Sequence, residues 1–262
     1  MKRSRAGWFA CTIAALALLG GAATAADIRV VSSGGFAAAY RALTPGFEAS
    51  TGDHVETGWG PSMGATADAV PQRLARGEPI DVLIMVGYAL DGLIKQGKVL
   101  ADSRVDLAQS GIGVVVRQGT ALPDISSPEA FRATVLAAKS IAYSDSASGV
   151  YIQNEMFKKM GVEDLVRGHA RMIPAEPVGE VVARGEADLG FQQISELKPI
   201  KGITLVGPLP PSVQQITVFA AGVVSGAKEP AAARALIGYL AAPAAAKVIA
   251  ESGMEPLGSA KR

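Results

Sequence analysis

Three stretches of this sequence gather hydroxyls and glycines where a strand pattern gives way to a helix pattern. They are Ser32-Ser33-Gly34-Gly35, the segment Gly60 to Thr66 with Ser62 and Met63 at its centre, and Ser144-Asp145-Ser146-Ala147-Ser148-Gly149. Hydroxyls donate hydrogen bonds without carrying charge, glycine admits a ligand close to the backbone, and the following helix begins with unpaired N–H groups, a combination that suits an anion. One such loop is an ordinary turn and cap. Three in one chain point to a shared anion site using Ser32, Ser33, Gly34, Ser62, Met63, Ser146 and Ser148. Glu176, directly before Pro177 at a helix start, adds a carboxylate that could move a proton if it opens into the same cleft. Gln192 and Gln193 end a short strand nearby in the sequence and bring amides.

Gly60-Pro61-Ser62-Met63-Gly64 also matches the pattern of a nucleophile elbow, glycine and serine alternating between a strand and a helix. In that reading His169 is the base and Asp145 the acid, in the expected chain order. Against it stand Pro61, which limits the strained turn, and the lack of a glycine-rich oxyanion segment. His54 and His169 both read as exposed. No cluster of histidines and acids has ligand spacing, so no metal and no cofactor is expected. Trp59 reads as core packing or as a wall of the cleft.

The chain has 262 residues, with 25 Lys and Arg, 24 Asp and Glu, two His and one Cys. Lys2, Arg3 and Arg5 precede an apolar run from Trp8 to Leu19, and Ala23-Thr24-Ala25 has the small-x-small form of a cleavage site. Residues 1–25 therefore read as a secretory signal peptide and the protein as periplasmic. The run is short for a membrane span, which needs about 20 apolar residues. Cutting after Ala25 removes three basic residues, no acid and Cys11, leaving a formal charge near −2. That balance argues against a nucleic-acid binder, the lack of any later apolar run of spanning length argues against stable membrane insertion, and the loss of Cys11 excludes disulfides and a cysteine nucleophile. A monomer is expected.

The elements that must position these residues alternate along the chain, which is the mark of an α/β fold. Strands are expected at Ile28 to Val31, Val55 to Trp59, Asp81 to Val86, Ile112 to Val116, Ser140 to Tyr143, Leu189 to Phe191 and Ile216 to Val224. Helices are expected after Phe36, with Pro45 kinking or shortening the first one. Further helices are expected at Asp68 to Arg76, after Ser127-Pro128-Glu129, near Val150 to Met160, from Pro177 to Gly185, and in two alanine-rich segments near Pro230 to Leu240 and Ala244 to Ser252. Pro208 to Pro211 reads as a stiff extended linker. The three polar loops then fall at the carboxyl ends of strands, the usual ligand crevice of such sheets.

Taken with Arg76 to Ile84, Ser148-Gly149-Val150-Tyr151 and Val182 to Gly190, the sequence resembles the periplasmic molybdate-binding proteins, two-lobed proteins found with ABC importers. The resemblance implies the type 2 periplasmic binding protein fold: α/β, each lobe a mixed sheet flanked by helices, ligand in the inter-lobe cleft. Lobe 1 would span 26–108 with 225–262 returning to it, and lobe 2 with the crossover strands 109–224. It also implies where the family's oxyanion contacts fall. The first-loop serine position is Gly35, with Ser32 and Ser33 as displaced substitutes, the second loop is longer, and a tyrosine position is Gln193. These departures suit a larger, planar, carboxylated ligand. Ser32 to Gly35, Tyr143 to Tyr151, Met172 to Gly179 and Gly190 to Gln193 together look like the aconitate isomerases, exported relatives of the molybdate binders. That likeness implies interconversion of trans- and cis-aconitate, a tricarboxylate, by cofactor-free allylic proton transfer; Glu176, by its position beside the inferred cleft, is the first candidate for the base. The alternative is a non-catalytic solute-binding protein that delivers molybdate or a small carboxylate to an ABC permease.

Overall fold

The computed structural model describes residues 25–257; the expected leader, Cys11 included, lies outside the described residues. The first part of the chain forms β1 (Asp27–Ser32), α1 (Ala37–Thr51), β2 (His54–Trp59), α2 (Val70–Ala75), β3 (Val82–Val86), α3 (Gly87–Lys95) and β4 (Val105–Ser110). The middle forms β5 (Ile112–Arg117), α4 (Pro128–Ala137), β6 (Ile141–Ser144), α5 (Ala147–Tyr151), α6 (Phe157–Lys159), α7 (Glu163–Val166), β7 (Ala170–Ile173), α8 (Val178–Ala183), β8 (Leu189–Gln193), α9 (Ile194–Leu197) and β9 (Ile203–Pro208). The chain ends with β10 (Thr217–Val223), α10 (Pro230–Leu240), α11 (Ala246–Glu251) and β11 (Glu255–Pro256).

Two sheets result, one in the order β11-β4-β10-β3-β1-β2 and one in the order β7-β6-β8-β5-β9. In the first, β1 runs parallel to β2 and β3, while β10 inserts antiparallel between β3 and β4. In the second, β6 is parallel to β7 and β8, and β5 is antiparallel to β8 and β9. The run Val82-Leu83-Ile84-Met85-Val86 is buried throughout, as expected of a strand with helices on both faces. Each sheet has its own core. One joins Ile28, Tyr40, Phe47 and Ile84 to Leu236 and Leu240, and the other joins Ile112, Phe131, Ile141, Ile152 and Phe191. Buried Asp81 ties the first lobe to the start of α10: Oδ2 accepts from Arg29 N at 2.8 Å, and Oδ1 accepts from Lys228 N at 2.7 Å and Glu229 N at 3.2 Å.

The lobes are joined at a narrow waist. β4 passes into β5 across Gly111 alone, and the returning segment carries Gln214, whose Oε1 accepts from Ile112 N at 2.8 Å while its Nε2 donates to Ile112 O at 2.9 Å.

Several expectations need correction. α1 runs straight through Pro45 for 15 residues. Pro45 lies on the exposed side, where a lost N–H contact does least harm, while Tyr40, Leu43 and Phe47 hold the other side in the core. The helix expected from Val150 begins at Ala147, placing Ser148 inside its first turn, and it contains a π-helical turn at Ile152–Met156. The expected extended linker at Pro208 to Pro211 is shared between elements, Pro208 ending β9 and Pro211 opening a 3-10 turn at Pro211–Val213, and β4, β7, β9 and α3 are additional. Ser127 caps α4 as expected, its Oγ accepting from Ala130 N at 3.1 Å.

Candidate functional site

A cavity of about 570 Å³ lies between the lobes. The first lobe contributes Gly34, Ala37, Ala38, Arg41, Trp59 and Pro61, and the second contributes Ser144 to Ser146, Ala175 to Pro177, Gln192, Ser195 and Glu196. A chamber of about 30 Å³, lined by Ser33, Gly34, Ser62, Ser146, Gln193 and Glu196 among others, adjoins it. These residues sit where β1, β2, β6 and β8 end, so the strand termini converge as the alternation of elements requires.

The hydroxyls differ in how they are held. Ser33 is buried and its Oγ has no partner among the described residues; Ser195 Oγ, buried on the opposite lobe, has none either. Buried hydroxyls without partners are rare enough in folded proteins to mark donors reserved for a ligand. Ser62 Oγ accepts from Val86 N at 3.0 Å, which leaves its own proton free to donate. Ser144 Oγ lies 2.8 Å from Ser146 Oγ and 3.0 Å from Ser148 Oγ, a tight group at the start of α5. Gly149 makes this packing feasible, because a Cβ there would fall 1.5 Å from Ser144 O. Gly35 has a similar cause: a Cβ would fall 2.0 Å from the Phe219 ring, so the serine of the molybdate binders has no room here.

Glu196, not singled out in the sequence, is the carboxyl that reaches both cavities. It sits in α9, one turn beyond Gln192, whose Nε2 donates a short hydrogen bond to Glu196 Oε2 while its Oε1 accepts from Val178 N at 2.9 Å. Gly34 allows the close approach: a Cβ there would stand 3.0 Å from Glu196 Oε1. Burial pushes the Glu196 carboxyl up to about 7, opposed by the Gln192 hydrogen bond and helped by the charge of Asp145. A carboxyl in that range both takes and returns protons near neutrality. The sequence signal was an acid four residues after a strand-end glutamine, visible only once α9 is known to be helical.

Glu176 occupies the cavity rim and is partly exposed. Its Oε1 accepts from Arg184 Nη1 at 2.6 Å, and Arg184 Nε also donates to Glu186 Oε1 at 2.7 Å, so this carboxylate is engaged by a guanidinium. The backbone beside it is strained: Ala175 has φ +56°, the sole non-glycine with positive φ among the described residues, and its N–H donates to Asp145 Oδ2 at 2.9 Å. Met63 turns away and packs on the first-lobe core, an apolar thioether seeking apolar company. Ser32 Oγ is buried and donates to Ser33 O at 3.1 Å; Ser148 is fully buried beneath Ser144. Gln193 lines the chamber and also grips the waist. In the orientation that satisfies its neighbours, its Nε2 donates to Ser110 O at 3.0 Å and Gly111 O at 3.2 Å, while Oε1 accepts from Thr217.

The nucleophile-elbow reading fails on placement. His169 precedes β7 and its carbonyl accepts from Ile141 N, at the amino ends of β6 and β7, whereas Asp145 lies at the carboxyl end of β6 and Ser62 follows β2 in the other lobe. His169 is half-buried rather than exposed. Trp59 serves both expected roles, lining the cavity and packing edge-on against Tyr40 at 5.9 Å.

The family model described as bacterial extracellular solute-binding protein matches residues 28–255. The chain belongs to that family. Among solute-binding protein relatives, an aconitate isomerase from Pseudomonas sp is 52% identical over 230 residues, 88% of each chain. The molybdate-binding protein ModA of Azotobacter vinelandii is 26% identical over 254 residues, 90% of this chain and 92% of that one. A solved structure of the periplasmic molybdate-binding protein from Azotobacter vinelandii superposes with TM-score 0.69 at 22% identity, covering 87% of this chain and 98% of that one. The solute-binding protein fold here is thus the two-lobed type 2 arrangement expected from the sequence.

Proposed function

We propose that this chain is a periplasmic aconitate isomerase that interconverts trans- and cis-aconitate without a cofactor, with Glu196 moving the proton. The observation that carries the reading is Glu196 itself, a carboxyl near pH 7 in a cleft otherwise furnished with neutral donors. A cleft that only holds an anion gains nothing from a carboxylate at its floor, because like charges in a confined site repel. A proton-transfer site requires such a group. The 52% identical relative named an aconitate isomerase supports the same reaction, and the relatives described as periplasmic support the location.

In the forward direction ionised Glu196 removes a proton from the methylene carbon of trans-aconitate. The electron pair spreads over the allylic system and its carboxylates, where hydroxyls such as those of Ser33, Ser62 and Ser146 lower its energy. Neutral Glu196 then returns a proton to the other allylic terminus, the double bond shifts, and the carboxyl is ionised again. No atom is gained or lost.

Purified protein incubated with trans-aconitate should form cis-aconitate, read by chromatography. Glu196→Gln should slow this by roughly 10²–10⁴-fold, the usual weight of a general base, while trans-aconitate still raises the Tm. No turnover by the wild type, or an unaffected variant, defeats the proposal; Glu176→Gln should leave most of the rate. A second reading, a carrier of molybdate or a small carboxylate for an ABC permease, is favoured by the family as a whole. It requires a Tm rise with molybdate or a small carboxylate and no isomerisation.

A further inference from the structure

We propose that Arg41, held over the Trp59 ring, receives one carboxylate of the ligand and sets a preference for tricarboxylates over dicarboxylates; this rests on the polycarboxylate reading of the cleft. Arg41 Cζ lies 4.2 Å from the centroid of the Trp59 ring. That ring is fixed in turn, edge-on to Tyr40 at 82°, and the Tyr40 hydroxyl is 2.9 Å from Thr57 Oγ1. The guanidinium is therefore placed over the ring by a cation–π contact before any ligand arrives, and its N–H groups make no hydrogen bond to a described residue.

Among the residues lining the larger cavity Arg41 is the one Lys or Arg, and it forms no ion pair with a described residue. The acids at the cavity are largely spoken for: Glu176 by Arg184, Asp145 by Ala175 N, and Glu196 by Gln192, with Asp68 exposed at the rim. Arg41 thus holds the uncommitted positive charge facing the cavity. Ala37, Ala38 and Arg41 share one face of α1, and Arg41 stands about 6 Å further along its axis than Ala37. A compact tetrahedral oxyanion seated between the serine loops leaves this fork unused. An elongated acid, one end at the serines and another one helical turn away, uses both.

The test measures Kd by calorimetry in a Glu196→Gln background, where ligand is not consumed. The ligands are trans-aconitate and the three dicarboxylates that each lack one of its carboxylates, mesaconate, glutaconate and itaconate. Adding Arg41→Gln should weaken trans-aconitate by roughly 10- to 100-fold, the range for a charge-assisted fork. One dicarboxylate, the one lacking the carboxylate held by Arg41, should change by less than about threefold, and Arg41→Lys should recover part of the loss. Unchanged affinity for trans-aconitate, or an equal loss for all four acids, overturns the assignment. If the parent binds none of the four, the assignment and the proposed function fall together; if it binds them but the wild type does not isomerise, the proposed function alone falls.

Discussion

Glu196 is held by three neighbours with different demands. Gln192 donates to it, Gly34 makes room for it, and Asp145 raises the cost of its charge. Because the carboxyl titrates near 7, kcat/KM for isomerisation should rise through that region as the base ionises, and the inflection should vanish in Glu196→Gln. Stability follows the opposite sense. A carboxyl whose pKa is raised by folding favours the native state while neutral, and that advantage is lost as pH climbs from the unfolded value through about 7. Glu196→Gln should therefore raise the Tm at pH 8 and change it little at pH 5, as scanning calorimetry would read. Gly34→Ala should lower kcat, since the added methyl presses on Glu196 Oε1. The serine loops of this site were legible in the sequence, because strand, hydroxyl-glycine loop and helix follow one another in contiguous residues. Glu196 and Arg41 were not. Glu196 follows a strand that the pattern ends at Phe191, and Arg41 adjoins the apolar stripe Phe36, Tyr40, Leu43 and Phe47, which draws attention to packing.

At the scale of elements, Gly149 and Asp81 carry the sharpest demands. Gly149→Ala drives a methyl into the Ser144 carbonyl, a backbone atom that cannot swing aside, so β6 and α5 must part and the Ser144, Ser146 and Ser148 group with them. Denaturant unfolding should show a loss of roughly 2 kcal/mol or more, the range for forced overpacking, with ligand-induced Tm shifts abolished. Asp81→Ala leaves three backbone N–H groups without their acceptor and should cost about 3 kcal/mol by the same measurement, with the site itself intact. The elements read correctly from sequence are those with continuous apolar runs or clear caps, such as β3 and α4. Two of the missed strands lack a long continuous apolar run or a clear cap. β7, Ala170-Arg171-Met172-Ile173, is an edge strand whose arginine faces solvent, and β4 interleaves Asp106 and Gln109 with Leu107 and Ala108. Their pairing partners lie far along the chain, so no local pattern announces them.

Across the whole molecule, two lobes with separate cores depend on one waist, where Gln214 and Gln193 hold Ser110, Gly111 and Ile112 from two sides. Any ligand that bridges the lobes stabilises the native state by mass action, so trans-aconitate should raise the Tm with its concentration. The placement of β10 has a further effect, on the order in which the chain can be completed. It lies at the centre of the first sheet, between β3 and β4, yet it is made only after every strand of the second sheet. A growing chain that stops before Thr217 can close the second sheet but must leave a gap in the middle of the first. Hydrogen exchange on a fragment ending at Gln215 should show slow amides in β5 to β9 and fast ones in β1 to β4. The part of the protein synthesised first is then the last to become resistant to proteases, and the interval during which it stays unfolded is set by the length of everything between β4 and β10.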